Sequence, residues 1–193
     1  MFVFDFDGVI ADSFQQVTDI FHKVGKEYNI IVNSKNDLAR LYENNIFDSL
    51  RKKGLSEDNI QEMILKIRNE QEKLEIKMFP GMKIFLKEID FIVITSNIGS
   101  IVKKYLNKHN LKPKRVIGAE HETSKVKKIL KIKNNKIFYV GDTVGDIKEG
   151  KQAKVKTVAV TWGFHNKELL KKENPDFIVD SITELQNIYI LNN

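Results

Sequence analysis

The sequence contains no cysteine among its 193 residues. That absence excludes disulfides, thiolate metal ligands and cysteine nucleophiles, and it fits a protein of the cytoplasm. No apolar run approaches the roughly 18 residues that a membrane-spanning helix needs. The apolar opening, residues 1–4, leads straight into Asp5 without a basic segment before it. We therefore expect a cytoplasmic protein with neither a signal peptide nor a membrane partner.

Signals of nucleic-acid binding are also lacking. The formal net charge is +6, but the lysines are scattered along apparent amphipathic helices. Neither a zinc-finger spacing nor a basic stretch with interleaved aromatics accompanies them. We interpret these lysines as solvated helix faces and expect no nucleic-acid partner. A mild positive field also favours an anionic small molecule as ligand.

Short apolar runs rich in Val, Ile and Phe recur through most of the chain, without strict alternation. This pattern is typical of strands buried on both faces of a parallel sheet. Helical patterns separate the runs, and strands that alternate with helices predict an α/β fold with a mainly parallel sheet. The predicted strands are 1–6, 91–95, 115–118, 136–140, 157–161 and 177–179, and the predicted helices between them are 99–110, 125–132, 146–152 and 167–172.

One segment breaks the alternation, since no strand is predicted from Phe14 to about Met78. Apolar residues three and four apart predict helices there instead, and Ser56 is a candidate N-cap because two acidic residues follow it. Pro80-Gly81 ends the segment. The sequence therefore predicts an α/β core made of residues 1–13 and 80–193, with an α-helical cap of residues 14–79 inserted after the first strand.

Polar residues directly follow an apolar strand, or open a helix, at four places. Asp5 and Asp7 end the first strand. Residues i and i+2 of a strand point to the same side, so these two carboxylates need a cation or a proton between them. Ligands of open parallel sheets bind beyond the carboxyl ends of the strands, where we expect all four places to converge. The other three are Thr95-Ser96-Asn97, Lys125, and Asp142 with Asp146.

Each of these places has an ordinary alternative as a turn, a helix cap or a surface lysine, but the four carboxylates together require a cation. Carboxylate, carbonyl and water ligands without cysteine or clustered histidine suit Mg²⁺. A hydroxyl and a lysine beside such a site suit a phosphoryl group. The histidines are dispersed, without zinc spacing, and we interpret them as ordinary surface or core residues: His22, His109, His121 and His165.

The motif order resembles the haloacid dehalogenase superfamily: DFDGV, a strand ending in Thr95, a helix-opening Lys125, then GDTVGD. The stretch TWGFHNKELLKKENPDFIVDSITEL is similar to the phosphoglycolate phosphatase-like branch. The resemblance covers residues 1–13 and 79–185. It implies a Rossmann-like core and a Mg²⁺-dependent phosphatase that hydrolyses a small-molecule phosphate monoester, phosphoglycolate-like or a sugar phosphate, through an aspartyl-phosphate.

The resemblance also implies a role for each motif. Asp5 would be the nucleophile, and Asp7 would protonate the leaving oxygen and then accept a proton from water. The implied Mg²⁺ ligands are the Asp5 carboxylate, the Asp7 backbone carbonyl and Asp142, with Asp146 as a further ligand or partner. Phosphate oxygens would be held by Thr95 and Lys125, with backbone N–H groups near Ser96 and Asn97.

The third motif departs from the family, which often has Lys-Pro where this chain has Lys125-Val126. Lys127 and Lys128 are therefore the alternatives for the lysine. A phosphomutase of the β-phosphoglucomutase type is the nearest alternative function. A phospho-receiver module is a distant one, because its motif order differs. The middle of the predicted cap carries basic residues that could meet a second anionic group, although solvated charge is the ordinary role of each: Arg40, Arg51, Lys52 and Lys53.

Overall fold

The structure is a computed structural model that describes residues 1–120, 122–132 and 136–192. Six of its strands form one parallel sheet in the order β5-β4-β1-β6-β7-β8, and the other two pair antiparallel. The predicted α/β fold with a parallel sheet is therefore confirmed. The strands are β1 (Phe2–Phe4), β2 (Ala11–Asp12), β3 (Lys77–Met78), β4 (Phe91–Ile94), β5 (Arg115–Ile117), β6 (Phe138–Gly141), β7 (Lys156–Val160) and β8 (Phe177–Val179).

Helices connect the strands and cover both faces of the sheet. The four helices whose bounds were predicted begin and end within two residues of the prediction. The predicted helix 99–110 stops at Lys108, and Asn110 adopts a left-handed backbone with φ of 57°. The helices are α1 (Phe14–Gly25), α2 (Lys35–Leu41), α3 (Ile46–Lys52), α4 (Glu57–Glu72), α5 (Met82–Lys87), α6 (Gly99–Lys108), α7 (Lys125–Ile132), α8 (Val144–Gln152), α9 (Lys167–Lys172) and α10 (Ile182–Asn192).

Burial on both faces explains why the strand sequences are apolar without alternation. Phe2 and Phe4 belong to a cluster with residues of α5, α6 and α10, whereas Val3 packs in a second cluster with Ile129 of α7. Successive side chains of a strand point to opposite faces, so residues at both odd and even positions must be apolar. The burial of such side chains, about 25 cal/mol per Å² of apolar area, is the main stabilising contribution to the sheet.

The strand order reverses direction at β1. The chain runs outward through β4 and β5 on one side, and through β6, β7 and β8 on the other. Such a switch point leaves a crevice beyond the carboxyl ends of the strands. The residues that directly follow β1 and β4, and the last residue of β6 with those after it, therefore border one crevice.

Helices α1 to α4 lie between β2 and β3 and share an apolar cluster, which Ala119 and Phe164 join from outside the segment. Ser56 caps α4 as predicted, because its side chain accepts a hydrogen bond from the backbone N–H of Asn59. The absence of any strand up to about Met78 is corrected at one point: Lys77–Met78 forms β3 and pairs with Ala11–Asp12. Two residues are too few to show a periodic pattern. Among the described residues, no helix is both long and apolar enough to cross a membrane.

Candidate active site

The first acidic pair follows β1 at the switch point. Asp5 is buried, and its backbone N–H donates to the carbonyl oxygen of Val140 at 2.9 Å, which extends the pairing with β6. Asp7 is half-buried and stands before a tight turn, where Gly8 has φ of 77°. A Cβ at Gly8 would lie 2.1 Å from Oδ2 of Asp142. Glycine is therefore required here by conformation and by space.

Three carboxylates from distant parts of the chain come together beside this strand end. Asp5, Asp142 and Asp146 are buried, and one oxygen of each lies within 4.8 Å of the others. Burial raises the pKa of Asp5 to about 7, and burial together with Asp146 and Asp5 raises the pKa of Asp142 well above its ordinary value. Charged carboxylates this close need a positive partner.

Lys125 is the cation within this cluster. Its Nζ donates to Oδ2 of Asp5 and to Oδ1 of Asp146, each at 2.7 Å. Burial opposes ionisation of Asp146, but its attraction to Lys125 and its hydrogen bonds from Lys125, Thr143 and Tyr139 outweigh burial and lower its pKa. Lys125 thus binds two of the three carboxylates into one network.

Asp146 is held in place by the start of α8. Thr143 is the N-cap, and in a reciprocal capping box each side chain accepts from the backbone N–H of the other residue. Thr143 Oγ1 also donates to Oδ2 of Asp146 at 2.6 Å. Tyr139 donates its hydroxyl to Oδ1 of the same carboxylate at 2.9 Å. Both oxygens of Asp146 therefore already accept hydrogen bonds from protein donors.

Asp142 differs from Asp146 because one of its oxygens is not satisfied. Oδ2 accepts from the backbone N–H of Phe164 at 2.7 Å, whereas Oδ1 is buried without a hydrogen-bond partner among the described residues. Buried polar atoms without partners are uncommon in folded proteins and call for an explanation. An unsatisfied carboxylate oxygen beside Asp5 is the donor chemistry that fits a hard divalent cation such as Mg²⁺.

The side chain of Asp7 lies apart from this cluster and is held by neutral donors. Ser13 Oγ donates to its Oδ1 at 2.8 Å, Gln71 Nε2 to the same oxygen at 3.2 Å, and Asn97 Nδ2 to Oδ2 at 3.2 Å. Burial is the largest influence on Asp7 and raises its pKa. A carboxyl with a raised pKa can hold a proton near neutral pH and donate it.

The residues that follow β4 line the same cavity as Asp5, Asp7 and Lys125. Thr95 is buried, and its Oγ1 accepts from the backbone N–H of Asn97 at 2.9 Å. The side chain of Asn97 joins Asp7 to Gln71, because Nδ2 also donates to Oε1 of Gln71 at 3.1 Å. The carbonyl of Ser96 accepts from Arg68 at 2.6 Å. All of the residues proposed for phosphate binding therefore border one space.

The three candidate lysines have different surroundings. Lys125 lines the cavity, whereas Lys127 lies on the surface, 3.7 Å from Glu122. Lys128 is fully buried and donates to the carbonyl oxygen of Thr95 at 2.7 Å. Burial lowers the pKa of Lys128 to about 7, with a further contribution from Lys125. Lys128 therefore supports the strand end from behind, and it is absent from the cavity lining described for the chain.

The histidines have no common site in the described residues. His165 is buried, where its Nδ1 accepts from the backbone N–H of Val144 at 2.8 Å and its Nε2 lies 2.8 Å from the carbonyl oxygen of Ala39. His22 and His109 belong to other elements, and His121 lies outside the described residues. The acidic cluster recorded for the described residues contains no histidine.

The cavity has two sides of different origin. Its volume, counted together with the solvent-filled opening, is about 540 Å³. We call the side at the strand ends the floor and the side formed by residues 14–72 the roof; Thr143 and Phe164 complete the lining. The floor consists of Asp5, Asp7, Thr95, Ser96, Asn97 and Lys125. The roof consists of Val17, Phe21, Tyr42, Ile46, Ile64, Ile67, Arg68 and Gln71.

The described roof contains none of the basic residues that the sequence offered for a second anionic group, which agrees with their ordinary role as solvated charge. Arg40, Arg51, Lys52 and Lys53 are not part of the described lining, and Arg51 instead pairs with Asp48 and Glu57 on the surface. The polar roof residues that sequence reasoning missed are Arg68 and Gln71. Both continue the buried stripe of α4, one turn beyond Ile64 and Ile67. A cation and an amide on an apolar stripe were the signal that could have identified them.

Comparisons with known proteins agree with this geometry. Residues 2–160 match the model of the haloacid dehalogenase-like hydrolase family. A phosphoglycolate phosphatase from Synechococcus elongatus is 22% identical over 198 residues, which cover 95% of this chain and 93% of the relative.

Solved structures with the same fold include a predicted phosphatase from Clostridium acetobutylicum, with a TM-score of 0.80 and 19% identity over 98% of this chain and 97% of that chain. A haloacid dehalogenase-like hydrolase from Streptococcus pneumoniae has a TM-score of 0.76 and 20% identity, with 97% of each chain covered.

Proposed function

Because this chain belongs to the haloacid dehalogenase-like hydrolase family, we propose that it is a Mg²⁺-dependent phosphatase that hydrolyses a small-molecule phosphate monoester through an aspartyl-phosphate on Asp5. One observation carries the proposal. Asp5, Asp142 and Asp146 meet at the floor of the cavity, where Lys125 bridges Asp5 and Asp146, and one oxygen of Asp142 has no partner among the described residues.

The acidic residues divide into two kinds of metal partner. Asp5 and Asp142 have oxygens that can bind Mg²⁺ directly, together with the backbone carbonyl of Asp7. Asp146 accepts hydrogen bonds at both oxygens, which supports its role as a further ligand or as the group that holds the others in position. The bound metal would neutralise the crowded carboxylates and the phosphoryl oxygens, so that an anionic nucleophile could approach.

Asp5 is the nucleophile in this mechanism. One of its oxygens attacks phosphorus, the P–O bond to the leaving group breaks, and the phosphoryl group is carried on Asp5. Lys125 keeps the Asp5 side chain in one orientation through a 2.7 Å hydrogen bond. It also contributes positive charge where the three equatorial oxygens of the phosphoryl group would lie.

Asp7 is the general acid and base. Its raised pKa suits it to donate a proton to the leaving oxygen, after which the carboxylate accepts a proton from the water that attacks the aspartyl-phosphate. Ser13, Gln71 and Asn97 hold the carboxyl group at the edge of the cavity, where it can face the leaving group.

The phosphoryl oxygens bind at the end of β4. Thr95 offers its hydroxyl, Lys125 its ammonium group, and Ser96 and Asn97 the backbone N–H groups that precede α6. The N–H of Asn97, which donates to Thr95 Oγ1 in the structure, would turn to the bound phosphoryl group. Backbone N–H groups at the start of a helix favour bound anions. Each of these residues lines the cavity, which supports a common function for them.

Residues 14–79 act as a cap in this proposal. The helices of that segment supply the roof, and the pairing of β2 with β3 joins its two ends to the rest of the chain. A roof over the leaving group would exclude water from the first step and choose the substrate. Phosphoglycolate-like esters and sugar phosphates both fit the class of small phosphate esters, and the Synechococcus relative is a phosphoglycolate phosphatase.

The test is turnover of a panel of phosphate monoesters, followed by release of inorganic phosphate. We expect turnover with Mg²⁺, loss of turnover with excess chelator, and recovery when Mg²⁺ is restored. Acid-quenched enzyme should carry the mass of one phosphoryl group on the peptide that contains Asp5. Turnover that survives chelation would contradict the proposal. Phosphoryl transfer to a sugar phosphate without phosphate release would instead indicate a mutase.

A further inference from the structure

Arg68 places a cation in the roof of the cavity. It lies on the buried stripe of α4 and is half-buried. Its Nη2 donates to the carbonyl oxygen of Ser96 at 2.6 Å, which fixes the guanidinium beside the strand end that carries Thr95. Arginine has five N–H donors, so most of this group's donor capacity is not used by the Ser96 carbonyl.

The charges around the cavity distinguish Arg68 from Lys125, the other cation of the described lining. Lys125 is neutralised by Asp5 and Asp146. Arg68 takes part in none of the ion pairs found among the described residues. Glu120 and Asp7 attract it electrostatically, and the Glu120 carboxylate accepts from the backbone N–H of Gly99 at 2.9 Å.

Burial lowers the pKa of Arg68 to about 10, which keeps the guanidinium charged at neutral pH. Its neighbours in the roof, Ile64, Ile67 and Val17, are apolar. A charge is costly to hold in such surroundings; Glu120 and Asp7 offset part of that cost, and an anion bound in the cavity would offset more.

We propose that Arg68 binds a carboxylate on the leaving group, so that the enzyme selects phosphate esters of short hydroxycarboxylic acids over sugar phosphates. This inference rests on the proposed function for the position of the phosphoryl group on the floor. A single guanidinium matches a monoanion such as a carboxylate, which it can bind with two parallel hydrogen bonds. A second phosphate would carry more negative charge than the one available cation balances.

The remaining roof disfavours a sugar. Val17, Phe21, Ile46, Ile64 and Ile67 offer no hydrogen-bond partners for the hydroxyl groups of a sugar ring, and unpaired hydroxyls in such a site cost binding energy. The other polar side chains of the roof are Tyr42 and Gln71, and the Gln71 amide is already bonded to Asp7 and Asn97. The anchor of Arg68 is Ser96, one residue beyond Thr95, so the carboxylate and the phosphoryl group must lie close together. A two- or three-carbon hydroxy acid meets that requirement.

The first measurement compares phosphoglycolate with its neutral amide, which has the same length. For the wild type we expect kcat/KM to favour the acid by about 10- to 100-fold, the factor that corresponds to a charged hydrogen-bond pair. Arg68→Gln should bring this ratio close to one, mainly through KM for the acid. Arg68→Lys keeps the charge but loses the two parallel N–H donors of the guanidinium. Its ratio of acid to amide should therefore fall between the ratios of the wild type and Arg68→Gln. Arg40→Gln, an exposed arginine of the same segment, is the matched control and should keep the wild-type ratio.

The second measurement is independent of turnover. Calorimetry with Mg²⁺ and 3-phosphonopropionate, a non-hydrolysable analogue of phosphoglycolate, should show binding that weakens by the same factor in Arg68→Gln. An equal preference for acid and amide in the wild type, or the same acid preference in wild type and Arg68→Gln, would overturn the role of Arg68. Arg68-dependent binding of the analogue without turnover of any ester would support the carboxylate site and remove the phosphatase proposal instead.

Discussion

The floor and the roof of the cavity handle charge in opposite ways. At the floor, Lys125 is hydrogen-bonded to Asp5 and Asp146, and Asp142 lies within a few ångströms of both carboxylates. The roof is mostly apolar and contains one arginine. A dense charged network can stabilise a phosphoryl group but responds little to what the phosphate is attached to. A roof with a single charged group can discriminate between substrates that differ in one charged group. In the proposed function, this contrast would separate the chemistry of the floor from the choice of substrate by the roof.

The two sides also differ in how the chain builds them. Floor residues follow strand ends or open α7, so backbone pairing of the sheet sets their positions. The roof depends on side chains from α1 and α4 that pack in a separate apolar cluster. Contacts at the seam, such as Gly145 N–H to the carbonyl oxygen of Tyr42 at 3.1 Å, then fix the roof over the floor.

Asp5→Asn should have the largest effect, because it removes the proposed nucleophile while keeping the shape of its side chain. We expect kcat to fall about 10⁴-fold or more. The asparagine oxygen can still accept the hydrogen bond from Lys125, so circular dichroism should show the native fold. Asp19→Asn is the matched control, since Asp19 is exposed on α1. Comparable turnover by Asp5→Asn and wild type would refute the mechanism.

Gly163→Ala should come next, because it disturbs the floor without removing a functional group. The added Cβ would lie 2.2 Å from Oδ2 of Asp142, so that carboxylate must move. We expect a loss of about 10²-fold in kcat/KM and about 1–3 kcal/mol of stability. Higher Mg²⁺ concentrations should recover part of the activity.

A control separates the two effects. Gly54→Ala has open space around its Cβ but a strained φ of 90°, so it should destabilise the protein while turnover per folded molecule stays at the wild-type level. Full activity of Gly163→Ala at limiting Mg²⁺ would argue against Asp142 as a metal ligand.

Gln71→Leu tests the contact between roof and floor. Gln71 donates to Asp7 at 3.2 Å and is buried. Without this donor, Asp7, the proposed general acid, is less well positioned. We expect about a tenfold loss with alkyl phosphates, whose leaving groups need a proton, and little loss with p-nitrophenyl phosphate, which does not. Gln61→Leu, on the exposed side of α4, is the control. Equal losses on both substrates would show that Gln71 does not act through Asp7.

Glu149→Gln should have the smallest effect on turnover and a measurable effect on stability. Glu149 lies at the seam, where its Oε1 accepts from Asn45 Nδ2 at 2.8 Å. Burial raises its pKa to about 7, above the ordinary value of 4.5. The folded protein therefore holds this proton to higher pH than the unfolded chain does, and the contribution of Glu149 to the stability of the wild type falls as pH rises from about 4.5 to about 7.

The variant lacks this titration, so its stability relative to wild type should increase across that range, by on the order of 1–3 kcal/mol above pH 7. Urea denaturation at pH 5 and pH 8 in the presence of chelator measures the difference. Glu57→Gln provides the opposite sign, because hydrogen bonds from Arg51 lower the pKa of the exposed Glu57. A pH-independent difference between Glu149→Gln and wild type would rule out the burial effect.

Much of the fold was predictable from local patterns. The runs FIVI and KTVAV have apolar residues at both odd and even positions, the pattern typical of a strand covered on both faces. Both form strands of the parallel sheet. The two-residue strands β2 and β3 were missed, because two residues have no period. Helix α10 was also missed, since its apolar residues lack a clear one-sided stripe.

Local sequence also determined which groups stand at the end of each strand. Asp5, Thr95 and Asp142 each follow the last residue of a strand, and these strands are recognisable as apolar runs. The hydrogen-bonded parallel sheet brings the three strand ends to one edge. Tertiary structure alone decided that Lys125 bridges Asp5 and Asp146, and that Arg68 faces the cavity while Arg51 faces solvent. Strand ends are set by backbone pairing over a few residues, whereas the direction of a helix face depends on how residues far apart in the chain pack together.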